Sequence, residues 1–95
     1  MFFLTSIAHY PIALKTPNKR CFGYFSTEEK AITAVACNAG NMEECYYNYL
    51  VIEEIPEGIH SIPISETWYT WNTDIGWVPS EKPEWSIGFT NWSLG

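Results

Sequence analysis

The sequence predicts a small α+β domain: an antiparallel β-sheet of about four strands with one main helix packed on one face. Three observations point there. The 95 residues suffice for one compact core and not for two, so residues 1–95 form a single domain. Hydrophobic residues are 46% of the chain and charged ones 17%, enough apolar surface to offset the entropy of ordering. Finally, one capped helical segment is embedded among runs of aromatic and β-branched residues.

The first strand is expected from Phe2 to Tyr10, where apolar groups fall on both faces, as suits an interior strand. The stretch that follows contains Pro11 and Pro17 together with Lys15, Lys19 and Arg20, which predicts an exposed loop. In the segment from Phe25 to Gly40, Ser26 is placed to cap a helix and Glu29 to close the capping box, giving a helix from Thr27 to Asn38. Glu28 and Glu29 lie at the positive end of its dipole, Ala31, Ile32, Val35 and Ala36 form the apolar stripe, and Gly40 supplies the left-handed stop. Cys37, beside that stripe, reads as a small buried hydrophobe.

Cys45 to Ile55 is the strongest strand signal and should be central. Pro56, Glu57 and Gly58 break it, and the next short extended piece is confined to an edge by Pro63. Residues 66–79 predict a hairpin with Gly76 taking positive φ at the turn, across which Trp68, Trp71 and Trp77 meet. Pro83 is placed to open a helical turn over Glu84 to Ile87, and the final residues are expected to be extended.

Charge narrows the function classes. The net charge is −6, which disfavours direct binding to nucleic acid phosphate. Its distribution is uneven: residues 1–30 hold Lys15, Lys19, Arg20 and Lys30 against Glu28 and Glu29, net +2, whereas residues 31–95 hold nine acids against Lys82, net −8. An odd count of cysteines, Cys21, Cys37 and Cys45, without a Cys-x-x-Cys pair argues against a disulfide framework and for a reducing compartment, so the expected location is cytoplasmic. No apolar run approaches the ~20 residues of a membrane-spanning helix. Asn91-Trp92-Ser93 matches the glycosylation acceptor pattern, a match without a secretion signal to give it meaning.

Catalytic chemistry finds no foothold. His9 and His60 do not stand at metal-ligand spacing with the cysteines, and no metal or cofactor is implied. Cys45 and His60 flank the central strand and are the one thiol and imidazole whose order permits pairing, though nothing in the sequence demands it. Glu53 and Glu54, as strand neighbours, point to opposite faces and do not share a substrate. No phosphate loop or Ser-His-Asp ordering is present.

Binding has more to stand on, because the 5 Phe, 6 Tyr and 5 Trp carry more ring surface than a domain of this size can enclose. The candidate contacts are Tyr46, Tyr47, Tyr49, Trp68, Trp71 and Trp77, edged by Glu43, Glu44, Glu53, Glu57 and Glu66, and the partner they suit is a protein with a basic surface. Homodimerisation is a rival use of the same face. The alternative function is a small-molecule or nucleotide binder or sponge, with the rings lining a pocket and the Lys15, Lys19, Arg20 cluster taking the anionic group.

The segments from Phe22 to Gly95, above all Tyr47-Asn48-Tyr49 leading into Glu53-Glu54, Glu57-Gly58, and Gly76-Trp77-Val78-Pro79 followed by Glu81-Lys82-Pro83-Glu84, resemble a group of small proteins of anaerobic gut bacteria and their phages or mobile elements. The resemblance transfers no catalytic residue. It implies a phage or mobile-element context, in which a small acidic protein acts as an inhibitor of a host defence protein, in the manner of an anti-CRISPR. The reading is therefore a non-catalytic interaction protein acting by stoichiometric binding.

Overall fold

A computed structural model describes residues 1–9, 18–59, 62–88 and 91–94. The proline loop expected after the first strand, with Lys15, and the Cys45–His60 pairing lie outside the described residues. The chain forms β1 (Phe2–Ala8), β2 (Asn18–Phe25), α1 (Glu28–Ala36), β3 (Tyr49–Glu54), β4 (Ser65–Asn72) and β5 (Gly76–Ser80), with 3₁₀ turns at Glu44–Tyr46 and Glu84–Ser86. The strands make one antiparallel sheet in the order β2-β1-β3-β4-β5, with the helix on one face.

The interior strands follow from their composition. β1 sends Leu4 into the core beneath the helix and Ile7 into the core on the other face, and in β3 Leu50, Val51 and Ile52 are all buried. The sheet has one strand more than expected, because the basic run Asn18–Cys21 belongs to β2 rather than to a loop. It is an edge strand whose first four residues face solvent, so neither hydrophobic alternation nor a turn marks it. The register of β2 against β1 shifts between Leu4 and Thr5, which pair with Gly23 and Cys21 and leave Phe22 as an extra residue. Strict alternation would place Phe22 and Phe25 on opposite faces; the bulge turns both toward the helix-side core.

In α1 the cap is Thr27 and not Ser26: Thr27 is extended, with φ −132°, and its side chain accepts from the Lys30 amide. The buried face is Ala31, Ala34 and Val35, while Ile32 and Ala36 are exposed, so the true stripe is rotated from the expected one. Cys37 is also exposed rather than buried. The helix stops before Gly40. Asn38 takes φ 47°, Ala39 N donates to Ala34 O and Asn38 N to Val35 O, the pair of bonds of a Schellman motif. The small buried residues let α1 lie close on the sheet, where it touches β1, β2 and β5.

The β4–β5 hairpin forms as expected, with Trp71 opposite Trp77 and Gly76 at φ +94° beside the turn. Trp68 does not join them, because it is an odd number of residues from Trp71 and points to the other face. There Trp68, Trp85 and Trp92 pack edge to face with centroids 5.9–6.1 Å apart, and Tyr49 packs on the cluster. Among the described residues no α-helix covers this face. The 3₁₀ turn opened after Pro83 and a turn at residues 92–94, in place of the expected extended end, cover it instead.

Candidate functional site

The sequence-predicted contact residues divide among three places, and one of the three is an open surface built by a single residue the sequence reading passed over. The Schellman ending of α1 presents the Asn38 side chain toward β5. Its Oδ1 accepts from the Met42 amide at 3.0 Å and from Trp77 Nε1 at 3.0 Å, and its Nδ2 donates to Glu43 Oε2 at 2.6 Å. The helix end, the loop after it and the outermost strand are thereby tied at one point.

Around this tie lie the rings. Trp77 meets Trp71 edge to face at 5.1 Å, and Trp71 lies over Gly76, whose missing Cβ would stand 3.8 Å from the indole. The Trp71 amide donates to Asn48 O, which brings the Tyr46–Asn48 stretch alongside β4. Asn48 is itself clamped to the backbone of His9 in both directions. Tyr47, Trp71 and Trp77 are half-buried, Glu44 is exposed, and Tyr46, held at φ 64°, is 83% exposed. The resulting end of the molecule is electronegative: α1 directs its last carbonyls here with no basic residue in its last turn, and Glu43 and Glu44 add carboxylates. Among the described residues the lysines and arginines are Lys19 and Arg20 on β2, Lys30 in the first turn of α1, and Lys82 on Glu66; Arg20 comes nearest, through the Phe22 ring that it covers and that Gly40 stands against.

The remaining predicted residues do other work. Trp68 is 3% exposed and donates through Nε1 to Glu66 Oε1, while Glu66 also pairs with Lys82 at 3.2 Å. Tyr49 packs edge to face on Trp85 in the same cluster. Glu53 is 0% exposed and accepts from the Trp92 amide, the Ser93 amide and the Ser93 hydroxyl at 2.7–2.9 Å. Burial pushes its pKa above the usual 4.5, opposed by those hydrogen bonds and reinforced by nearby Glu66. Trp68 and Glu53 therefore form no part of an outer face. Glu57 stands beyond the other end of β3, in the wall of an open apolar hollow of about 360 Å³ lined also by Met1, Phe3, Ile55, Pro56 and Leu94.

The sequence reading missed Asn38, Trp85 and Trp92. An Asn directly after a helical segment is a recognised left-handed stop and was the available signal for the first. No local signal marked the tryptophans as core. Asn91 and Trp92 of the apparent glycosylation acceptor are buried, which removes that site from the folded surface. Among the described residues no group of three or more His, Cys, Asp or Glu side chains stands where it could hold a metal, and no helix is long and apolar enough to cross a membrane. Comparison with protein-family models, curated proteins and solved structures found no match to the chain.

Proposed function

We propose that the chain is a non-catalytic interaction protein that binds one partner stoichiometrically through its acidic aromatic end, and that the partner presents a basic surface. The observation that carries this reading is the Asn38 tie, which holds Trp77 and Glu43 in place before any partner arrives. Rings and carboxylates already ordered lose little freedom on binding, and Trp and Tyr are the residues that most often anchor interfaces. Exposed Tyr46 and Glu44 extend the same surface, and an incoming Lys or Arg finds both carboxylates and aromatic faces there. A nucleotide or other anionic small molecule is served less well, because the hollow at the opposite end has no lysine or arginine in its wall and carries Glu57. The resemblance of the sequence to proteins of gut bacteria and their phages supports placing the partner in a host defence system, with the chain as its inhibitor.

A photo-crosslinking residue in place of Tyr46 tests this. The expected product is a one-to-one adduct whose attachment point lies among lysines and arginines. Its yield should fall at least tenfold in Glu43→Gln/Glu44→Gln and decrease with rising salt. A crosslink indifferent to both changes, or a small molecule retained by the freshly purified protein in native mass spectrometry, would overturn the reading.

A further inference from the structure

The acidic aromatic end lies at the start of β3, and the other end of that strand is different in kind. Ile55, the residue after β3, exchanges backbone hydrogen bonds with Met1, and the Ile64 amide donates to Glu54 O. Met1, the residues after β3 and those before β4 are thereby brought together. Exposed aliphatic side chains collect there: Met1, Ile59, Ile62 and Ile64, with Leu94 joining them in the wall of the hollow that Met1, Phe3 and Ile55 also line. Ile59 is 91% exposed, more than any other aliphatic side chain among the described residues, and it directly follows Gly58 of the same wall. A protruding side chain therefore adjoins an open apolar hollow of about 360 Å³. The largest apolar patch of a lone soluble domain is about 300–600 Å², and a patch of that size marks a contact surface.

We propose that this aliphatic end is the interface of a two-fold dimer of the chain, in which Ile59 of each copy enters the hollow of the other. A two-fold contact needs a patch complementary to itself, and this one carries knob and hole side by side. A different partner would have to supply a knob of its own, whereas a second copy already brings one. A stable pair buries about 800 Å² on each member, an area that the five aliphatic side chains and the wall of the hollow together approach. Glu57 stands exposed in that wall, two residues from Ile59, so the contact brings the two copies of Glu57 near one another. Association therefore tightens as salt screens them, the opposite of the salt response at the acidic aromatic end. Asn48 precedes β3 and Ile55 follows it, so each copy keeps its own aromatic end clear of the contact. The proposal does not rest on the reading given for that end.

The test is sedimentation equilibrium of the full chain from micromolar to millimolar concentration. A monomer–dimer equilibrium that strengthens with salt is expected. Ile59→Asp should weaken it at least tenfold without moving the urea midpoint of the monomer, because the side chain it replaces is exposed. Ile75→Asp, at an equally exposed isoleucine in the β4–β5 turn, and Glu43→Gln/Glu44→Gln should leave the dimer constant unchanged. In a sample mixed from labelled and unlabelled protein, intermolecular nuclear Overhauser contacts should join the Ile59 methyls to the Phe3 ring and to Leu94. The proposal is overturned by a monomer at millimolar concentration, by a dimer indifferent to Ile59→Asp or weakened by salt, by intermolecular contacts that map elsewhere, or by a monomer carrying a retained small molecule in native mass spectrometry.

Discussion

Two side chains, Glu53 and Asn38, each join segments distant in sequence, and each makes a measurable statement about stability. The Glu53 carboxylate is enclosed and holds the Trp92 and Ser93 amides and the Ser93 hydroxyl. Glu53→Ala orphans those donors at about 1–3 kcal/mol for each that stays buried, a loss that urea unfolding will read. Glu53→Gln tests the titration. Because burial raises the folded-state pKa above 4.5, the native state holds a proton at pH values where the unfolded chain has released it. That contribution is complete below pH 4.5 and is lost as pH rises through the raised value, so the stability of the wild type relative to Glu53→Gln should fall over that interval. A difference constant with pH would refute the assignment. Asn38 separates conformation from bonding: Asn38→Gly keeps the left-handed stop and loses the side-chain bridges, whereas Asn38→Ala loses both and should be less stable by a further ~1 kcal/mol. In both variants the freed Trp77 indole should shift its fluorescence to the red.

Among the elements, the helix and the C-terminal segment cover opposite faces of one sheet by different means. α1 lies on the sheet through Ala31, Ala34 and Val35, so Ala31→Leu should overpack the contact and cost about 1–3 kcal/mol. Ile32→Glu, on the exposed side, should stay within about 0.5 kcal/mol of wild type by thermal or urea unfolding. On the other face the cover consists mostly of Trp85 and Trp92 held against Trp68. Trp92→Ala is expected to cost about 3–5 kcal/mol and to flatten the near-ultraviolet circular dichroism that three mutually perpendicular indoles produce. The helix was legible because caps, acids at its start and small apolar residues are local signals. The face that it buries came out rotated to Ala31, Ala34 and Val35, because Ile32 and Ala36 offered an equally apolar stripe in the sequence and packing against the sheet chose between them. The C-terminal cover was not legible, because its 3₁₀ and turn residues have no periodicity to display.

At the scale of the whole molecule, the charge asymmetry along the sequence is partly undone in space. Lys19 and Arg20 lie on β2, and the loop after α1 reaches that side too: Ser6, the register partner of Arg20, donates to Met42 O, and Gly40 stands against the Phe22 ring that Arg20 covers, while Asn38 ties the same loop to Trp77 of β5. Of the residues expected to make contacts, Tyr46, Tyr47, Trp71, Trp77, Glu43 and Glu44 gather at one end, while Tyr49, Trp68, Glu53 and Glu66 belong to the second core and its rim. What the sequence by itself determined is the α+β class, a central strand within Cys45–Ile55, of which Tyr49–Glu54 is strand and Glu44–Tyr46 a 3₁₀ turn, an interior strand starting at Phe2, and the hairpin around Gly76. Each of these rests on propensity and alternation within a few residues. Only the tertiary structure decided that the basic run is a strand, that a bulge turns Phe22 inward, and that Trp92 closes over Glu53. Those outcomes depend on a partner strand or a covering segment far along the chain, and a side chain's burial is set by what arrives to cover it rather than by its neighbours in sequence.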